Sequence, residues 1–128
     1  MAKKFSIKRD PTFTTTVNLP APGQAPVPVS FTFKWMDRKE VADFQDSAMG
    51  FYESVKDKAL AEKWGNAEWA DARISYDFDC LKTIVVGWDI EEDFNDDNLR
   101  ALVESSSDFP AVIVRGYLAT YEKAREGN

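Results

Sequence analysis

Residues 27 to 35 alternate without a break: Val27, Val29, Phe31, Phe33 and Trp35 fall on one side of an extended chain, and Pro28, Ser30, Thr32 and Lys34 on the other. Side chains of a strand point alternately to opposite faces, so this stretch is a strand with one face of large apolar groups and one polar face. Upstream, residues 12 to 18 are rich in β-branched types and place Phe13 and Val17 on a common face, which predicts a second strand. Between them Pro20, Pro22, Gly23 and Pro26 oppose a regular ladder and predict an extended loop. An isolated hairpin is marginal in water. Its apolar face must therefore be covered, either by helices of the same chain or by the sheet of another copy.

The rest of the chain supplies helices. Asp37 with Glu40 three residues on has the form of a capping box, and Val41, Phe44, Ala48, Phe51, Tyr52, Val55 and Ala59 follow helical spacing. They predict one helix to about residue 63, mildly weakened by Gly50. Gly65 and Asn66 punctuate, with Asn66 as the expected cap of a helix over 67–86 whose stripe is Trp69, Ile74, Phe78, Leu81 and Val85, widened by Ala70, Cys80 and Ile84. A third helix is expected over 96–104. After a loop at 105–108, Pro110 opens a fourth over 110–125, with Ile113, Tyr117 and Tyr121 inward and a charged end before Gly127. The expectation is an α+β fold: one domain of residues 1–128, with a β-hairpin region (1–36) packed against a mainly helical region (37–128) of about four helices.

Charge and chemistry exclude several roles. Residues 1–40 hold seven Lys/Arg against three Asp/Glu (+4), and residues 41–128 hold nine against nineteen (−10), which together give the net −6. An acidic body is ill suited to a phosphate backbone, so no nucleic-acid partner is expected. The asymmetry suits solubility first, and head-to-tail association or a basic partner second. No run approaches the ~20 apolar residues of a membrane span. The lone cysteine, Cys80, has no partner for an intrachain disulfide and reads as a small core residue in a reducing compartment. With no histidine, the Ser-His and Cys-His schemes are absent, and one cysteine makes a zinc site implausible. Asp93, Asn95, Asp97 and Glu104 have the spacing of a calcium loop, but the helix start expected at about 96 conflicts with it. Neither catalysis, a metal nor a cofactor is expected.

The stretch from Gly87 to Leu99 carries the strongest ordered signature. Gly87 reads as a helix stop with φ > 0, an acidic loop follows, and Asn95 caps the next helix with Phe94 and Leu99 at the spacing of a hydrophobic staple. Gly87-Trp88-Asp89, the acidic loop, Phe94, the polar cap, Asn98-Leu99, the Phe109-Pro110 step and Tyr117 together resemble the tail assembly chaperones of long-tailed bacteriophages. The hairpin ending in Phe31-Thr32-Phe33-Lys34 and the following Arg38-Lys39-Glu40 extend the resemblance over most of the chain.

The resemblance implies a non-enzymatic protein that binds the tape measure protein and keeps it soluble during tail assembly in the host cytoplasm, and that is absent from the mature virion. It also implies a homo-oligomer, a frameshifted longer form of the same chain, and the tail tube protein as partners. The chain carries more aromatic surface than a minimal fold needs, and Phe31, Phe33, Trp35, Trp64, Trp88, Phe94 and Phe109 are the candidate interaction residues. The sheet is expected to mediate self-association through Phe31 and Phe33, and the helical aromatics to meet the client. Two other readings fit the same residues: a structural minor tail component, and an acidic nucleic-acid mimic that inhibits a host enzyme.

Overall fold

The alternating stretch is the middle strand of a three-stranded antiparallel sheet. Strands β1 (Thr12–Ala21), β2 (Gln24–Lys34) and β3 (Val85–Trp88) lie in the order β1-β2-β3. The structure, a computed structural model, describes residues 4–8 and 10–125. Gly127, which follows the charged end expected for the last helix, lies outside the described residues.

The loop expected over residues 20–26 is instead a two-residue turn, Pro22-Gly23, with both strands running into it. Gly23 has φ 77°, in the region glycine occupies without a Cβ penalty. The prolines are accommodated by the hydrogen-bonding pattern. Trp35 N–H donates to the Pro11 carbonyl across the start of the ladder, so Phe13, Thr15, Val17 and Leu19 exchange bonds with Phe33, Phe31, Val29 and Val27 in turn. Pro28 therefore turns its nitrogen away from β1, and β3 begins pairing only at Phe31 to Phe33, so no ladder bond is lost there. The register shifts between Leu19 and Ala21, at Pro20.

Five helices complete an α+β fold: α1 (Arg38–Met49), α2 (Phe51–Glu62), α3 (Asn66–Ile84), α4 (Asp96–Ser105) and α5 (Asp108–Arg125). The single helix expected to about residue 63 is two, because Gly50 both ends α1, donating to the Ser47 carbonyl, and starts α2, accepting from Ser54 N–H. The Asp37 capping box is present, with Asp37 Oδ1 accepting from Glu40 N–H and Glu40 Oε1 from Asp37 N–H. Gly65, and not Asn66, occupies the N-cap of α3. That helix ends at Ile84, short of the expected residue 86. Val85 to Trp88 form β3, with Gly87 opposite Thr32 and no positive φ at Gly87. Two β-branched valines beside an open strand are better placed pairing than continuing the helix.

The hairpin's apolar face is covered by helices of the same chain. α5 packs against β1, and a methyl group added at Gly116 would lie 2.7 Å from Val17 Cγ2, so only glycine allows this approach. Tyr117, without exposed surface, sits at the centre: its ring lies 5.5 Å from Phe13, 5.2 Å from Phe33 and 5.9 Å from Phe44, and its hydroxyl donates to the Lys34 carbonyl at 3.1 Å. Burial pushes the Tyr117 pKa well above the usual tyrosine value. One apolar cluster joins Val17, Phe31 and Phe33 of the hairpin to Val41, Leu81, Leu99, Ile113 and Tyr117 of the helices.

The acidic loop is a fastening. Asp89 N–H donates to the Ser30 carbonyl while Asp89 Oδ1 accepts from Ser30 N–H at 2.8 Å. Trp88 Nε1 donates to the Glu92 carbonyl, and Asn98 Nδ2 to the Asp93 carbonyl. Asn95 Oδ1 caps α4 by accepting from Asn98 N–H, as expected, and Leu99 is fully buried with Phe94 packed against the same cluster. The helix starts at Asp96, so Asp97 and Glu104 are spent on α4 instead of encircling a cation.

Candidate protein-binding surface

The helical stripe read over residues 41–59 does not stay on one face. Val41 and Phe44 are buried, but past Gly50 the only residue of α2 that is buried is Ala59. α2 packs on α3 alone among its larger contacts, away from the sheet. The result is an aromatic outcrop. Phe51 meets Trp69 and Tyr76 edge-on at 6.2 and 5.2 Å, Trp64 meets Trp69 edge-on at 5.3 Å, and Tyr52 stacks flat on Trp69 at 6.2 Å with 7° between the planes. None of these five rings belongs to the main core or packs directly against it. Apolar side chains of the same segment face solvent: Met49 is 87% exposed, Leu60 75% and the Tyr52 ring itself 59%.

Polar groups hold the outcrop in shape. Tyr76 donates its hydroxyl to the Ser47 carbonyl, tying α3 to the end of α1. The Arg73 guanidinium lies 4.9 Å over the Phe51 ring, and its Nε donates to Asp77 Oδ1 at 3.0 Å. Asp77 is buried, and desolvation raises its pKa, opposed by the charge and hydrogen bond of Arg73. Lys63 closes α2 in the left-handed conformation at φ 55° and positions Trp64, whose N–H bonds the Ala59 carbonyl. Beside the outcrop, Met49 and Arg73 also line an open groove of about 280 Å³ between α1, α3 and α5, floored by Ala48, Val114 and Leu118. Cys80 borders this groove half-buried, its thiol pKa raised by burial and then by Asp77. A protonated thiol there is an apolar lining group, with no nucleophilic character.

The candidate residues from the sequence are scattered by the fold. Phe31 and Phe33 are fully enclosed in the core, Phe31 against Trp88 and Phe33 against Tyr117, and carry no surface of the monomer. Trp35 packs half-buried on Tyr121 at 4.7 Å. Trp88 and Phe94 meet edge-on at 5.0 Å beside the acidic loop. Phe109 faces Pro20, Pro22 and Pro26 across an open cleft of about 510 Å³ at the hairpin tip. Of the seven, only Trp64 lies in the outcrop. Met49, Tyr52 and Leu60 were missed because Tyr52 matches the buried stripe and the other two stand outside it. The signal available was Gly50, which lets the helix axis change direction and invalidates the stripe beyond it.

No described helix is long and apolar enough to cross a membrane. No curated protein and no solved structure matches this chain. A family model described as phage tail assembly chaperone matches residues 1–128. The chain belongs to the phage tail assembly chaperone family.

Proposed function

We propose that this chaperone binds the tape measure protein through the α2–α3 outcrop and keeps it soluble in the host cell until the tail assembles around it. The observation that carries the reading is the exposure of the apolar side chains Met49, Tyr52 and Leu60 in the segment that bears the aromatic cluster. A long amphipathic helix displays its apolar stripe before its final partners arrive, and a rigid aromatic ridge covers such a stripe with little ordering cost. The adjoining groove between α1, α3 and α5 widens the apolar contact. The chain acts as one domain, its hairpin and helices sharing a single apolar cluster.

The proposed role is non-enzymatic. Without histidine, and with Cys80 held as the thiol and Asp77 engaged by Arg73, the groove offers no activated nucleophile and base. The acidic helices are laced with lysines paired to carboxylates, Lys39 to Asp43, Lys56 to Glu53 and Lys82 to Asp96. Such pairing breaks up the continuous negative stripe that a nucleic-acid mimic requires.

Co-expression with the tape measure protein of the same tail gene cluster tests this reading. The wild-type chain is expected to move the client into the soluble fraction and co-purify with it, while Tyr52→Asp with Leu60→Asp leaves the client insoluble. Equal rescue by the variant contradicts the assignment of the surface, and failure of the wild type contradicts the assignment of the client.

A further inference from the structure

The two edges of the sheet are treated differently. β3 is four residues long, departs from regular register at Val86, and runs directly into the acidic stretch from Asp89 to Asp93. β1 is ten residues long, and from Thr12 to Leu19 it holds no charge, no proline and no register shift. Natural edge strands are normally protected from pairing by lysines, prolines or bulges. β3 has such protection and most of β1 has none.

The parity of the ladder identifies what β1 presents. Since Phe13, Thr15, Val17 and Leu19 bond to β2, the N–H and C=O groups of Thr12, Thr14, Thr16 and Asn18 aim outward. No backbone group of another described element bonds them. Their side chains are exposed, short and uncharged. Two chains of net charge −6 repel each other over most approaches. Along β1 they meet without charge in either strand, and threonines opposite one another form favourable cross-strand pairs. The row is also complementary to itself: reversed, it offers a donor and an acceptor at every second residue, as an antiparallel copy requires.

We propose that β1 pairs antiparallel with β1 of a second copy, Thr14 opposite the partner's Thr16 and Thr12 opposite the partner's Asn18. Two three-stranded sheets thereby become one sheet of six strands about a two-fold axis. Phe31 and Phe33 stay buried in this arrangement, so association uses the sheet's edge and leaves its aromatic face in the core. β1 packs on β2 and α5, and α2 on α3, so the pairing is independent of the client surface and stands or falls separately from it.

Light scattering on a size-exclusion column over a dilution series tests the pairing. The wild-type chain is expected to pass reversibly from monomer to dimer as concentration rises. Thr14→Lys with Thr16→Lys sets like charges opposite each other and abolishes the dimer. Thr14→Glu with Thr16→Lys sets opposite charges there and restores it, more strongly at low salt. A wild type that is monomeric throughout, including one whose β1 binds only a strand of another protein, overturns the proposal. So does a dimer that survives the double-lysine change, or a folded mixed-charge variant that stays monomeric. Amide exchange on the unmodified chain gives a second reading: the N–H groups of Thr14 and Thr16 exchange slowly in concentrated and quickly in dilute solution, and fast exchange in both overturns the pairing.

Discussion

Tyr117 has no exposed surface among Phe13, Phe33, Phe44 and Tyr121, with its hydroxyl on the Lys34 carbonyl, whereas Tyr52 is more than half exposed with one flat ring contact to Trp69. Both regions are rich in aromatic rings, yet they use them for different ends. Around Tyr117 the rings come from the sheet, α1 and α5, elements far apart in sequence, and removing any one leaves a cavity among the rest. Around Tyr52 they come from α2, from α3 and from the short turn that joins them, and one side of the cluster faces solvent. The first arrangement specifies the fold. The second is a packed layer open to solvent on one side, and on that exposure the proposed client surface rests.

The two regions should separate under substitution. Phe33→Ala, at the centre of the sheet, is expected to cost about 3–5 kcal/mol and to abolish client capture by unfolding the chain, measured by urea denaturation. Gly116→Val drives a branched side chain into Val17 and is expected to cost about 3 kcal/mol by the same assay. Alkali tests the core without mutation. An unfolded tyrosine ionises above about pH 10 while buried Tyr117 resists, so the native state retains a proton the unfolded chain has lost. Stability should then fall by up to about 1.4 kcal/mol per pH unit above that point, and Tyr117→Phe should flatten the slope.

At the border between the regions effects shrink. Arg73→Leu strips the buried Asp77 of its partner and is expected to cost about 1–2 kcal/mol near neutrality, discounted because Arg73 is half exposed. Burial already raises the Asp77 pKa, so acid protonates it and the loss should diminish as pH falls. Smallest of all, Tyr52→Ser with Leu60→Ser in the outcrop should change stability by no more than about 0.5 kcal/mol in thermal unfolding.

Much of the first region was legible in the sequence. The alternation from Val29 to Lys34, the Asp37 capping box, the Asn95 cap and the stripe Ile113, Tyr117 and Tyr121 each rest on local periodicity or a short-range hydrogen bond, and each stands in the structure, whereas Val27, at the start of the alternation, is exposed. What escaped depended on neighbours distant in the chain. β3 exists because β2 offers an edge to Val85 and Gly87, which helical spacing alone does not reveal. The turn at Pro22-Gly23 escaped because prolines were weighed by type, when their tolerance rests on which way each nitrogen faces. The outcrop escaped because Phe51, Tyr52 and Val55 continue the apolar period of α1 so well that the break at Gly50 passed as a minor weakness. Among the candidate aromatics, pattern separates apolar from polar but not core from surface, so Phe33 and Trp64 looked alike.

The most direct test of the central claim is the affinity of a tape measure segment for the wild-type chain and for the Tyr52→Ser, Leu60→Ser variant, with unfolding measured on the same samples. If the outcrop is the client surface, affinity drops at least about tenfold while the unfolding midpoint stays in place. Equal affinity in the two chains would contradict it, and would move the client to the groove at Phe109 or to the Trp88–Phe94 pair.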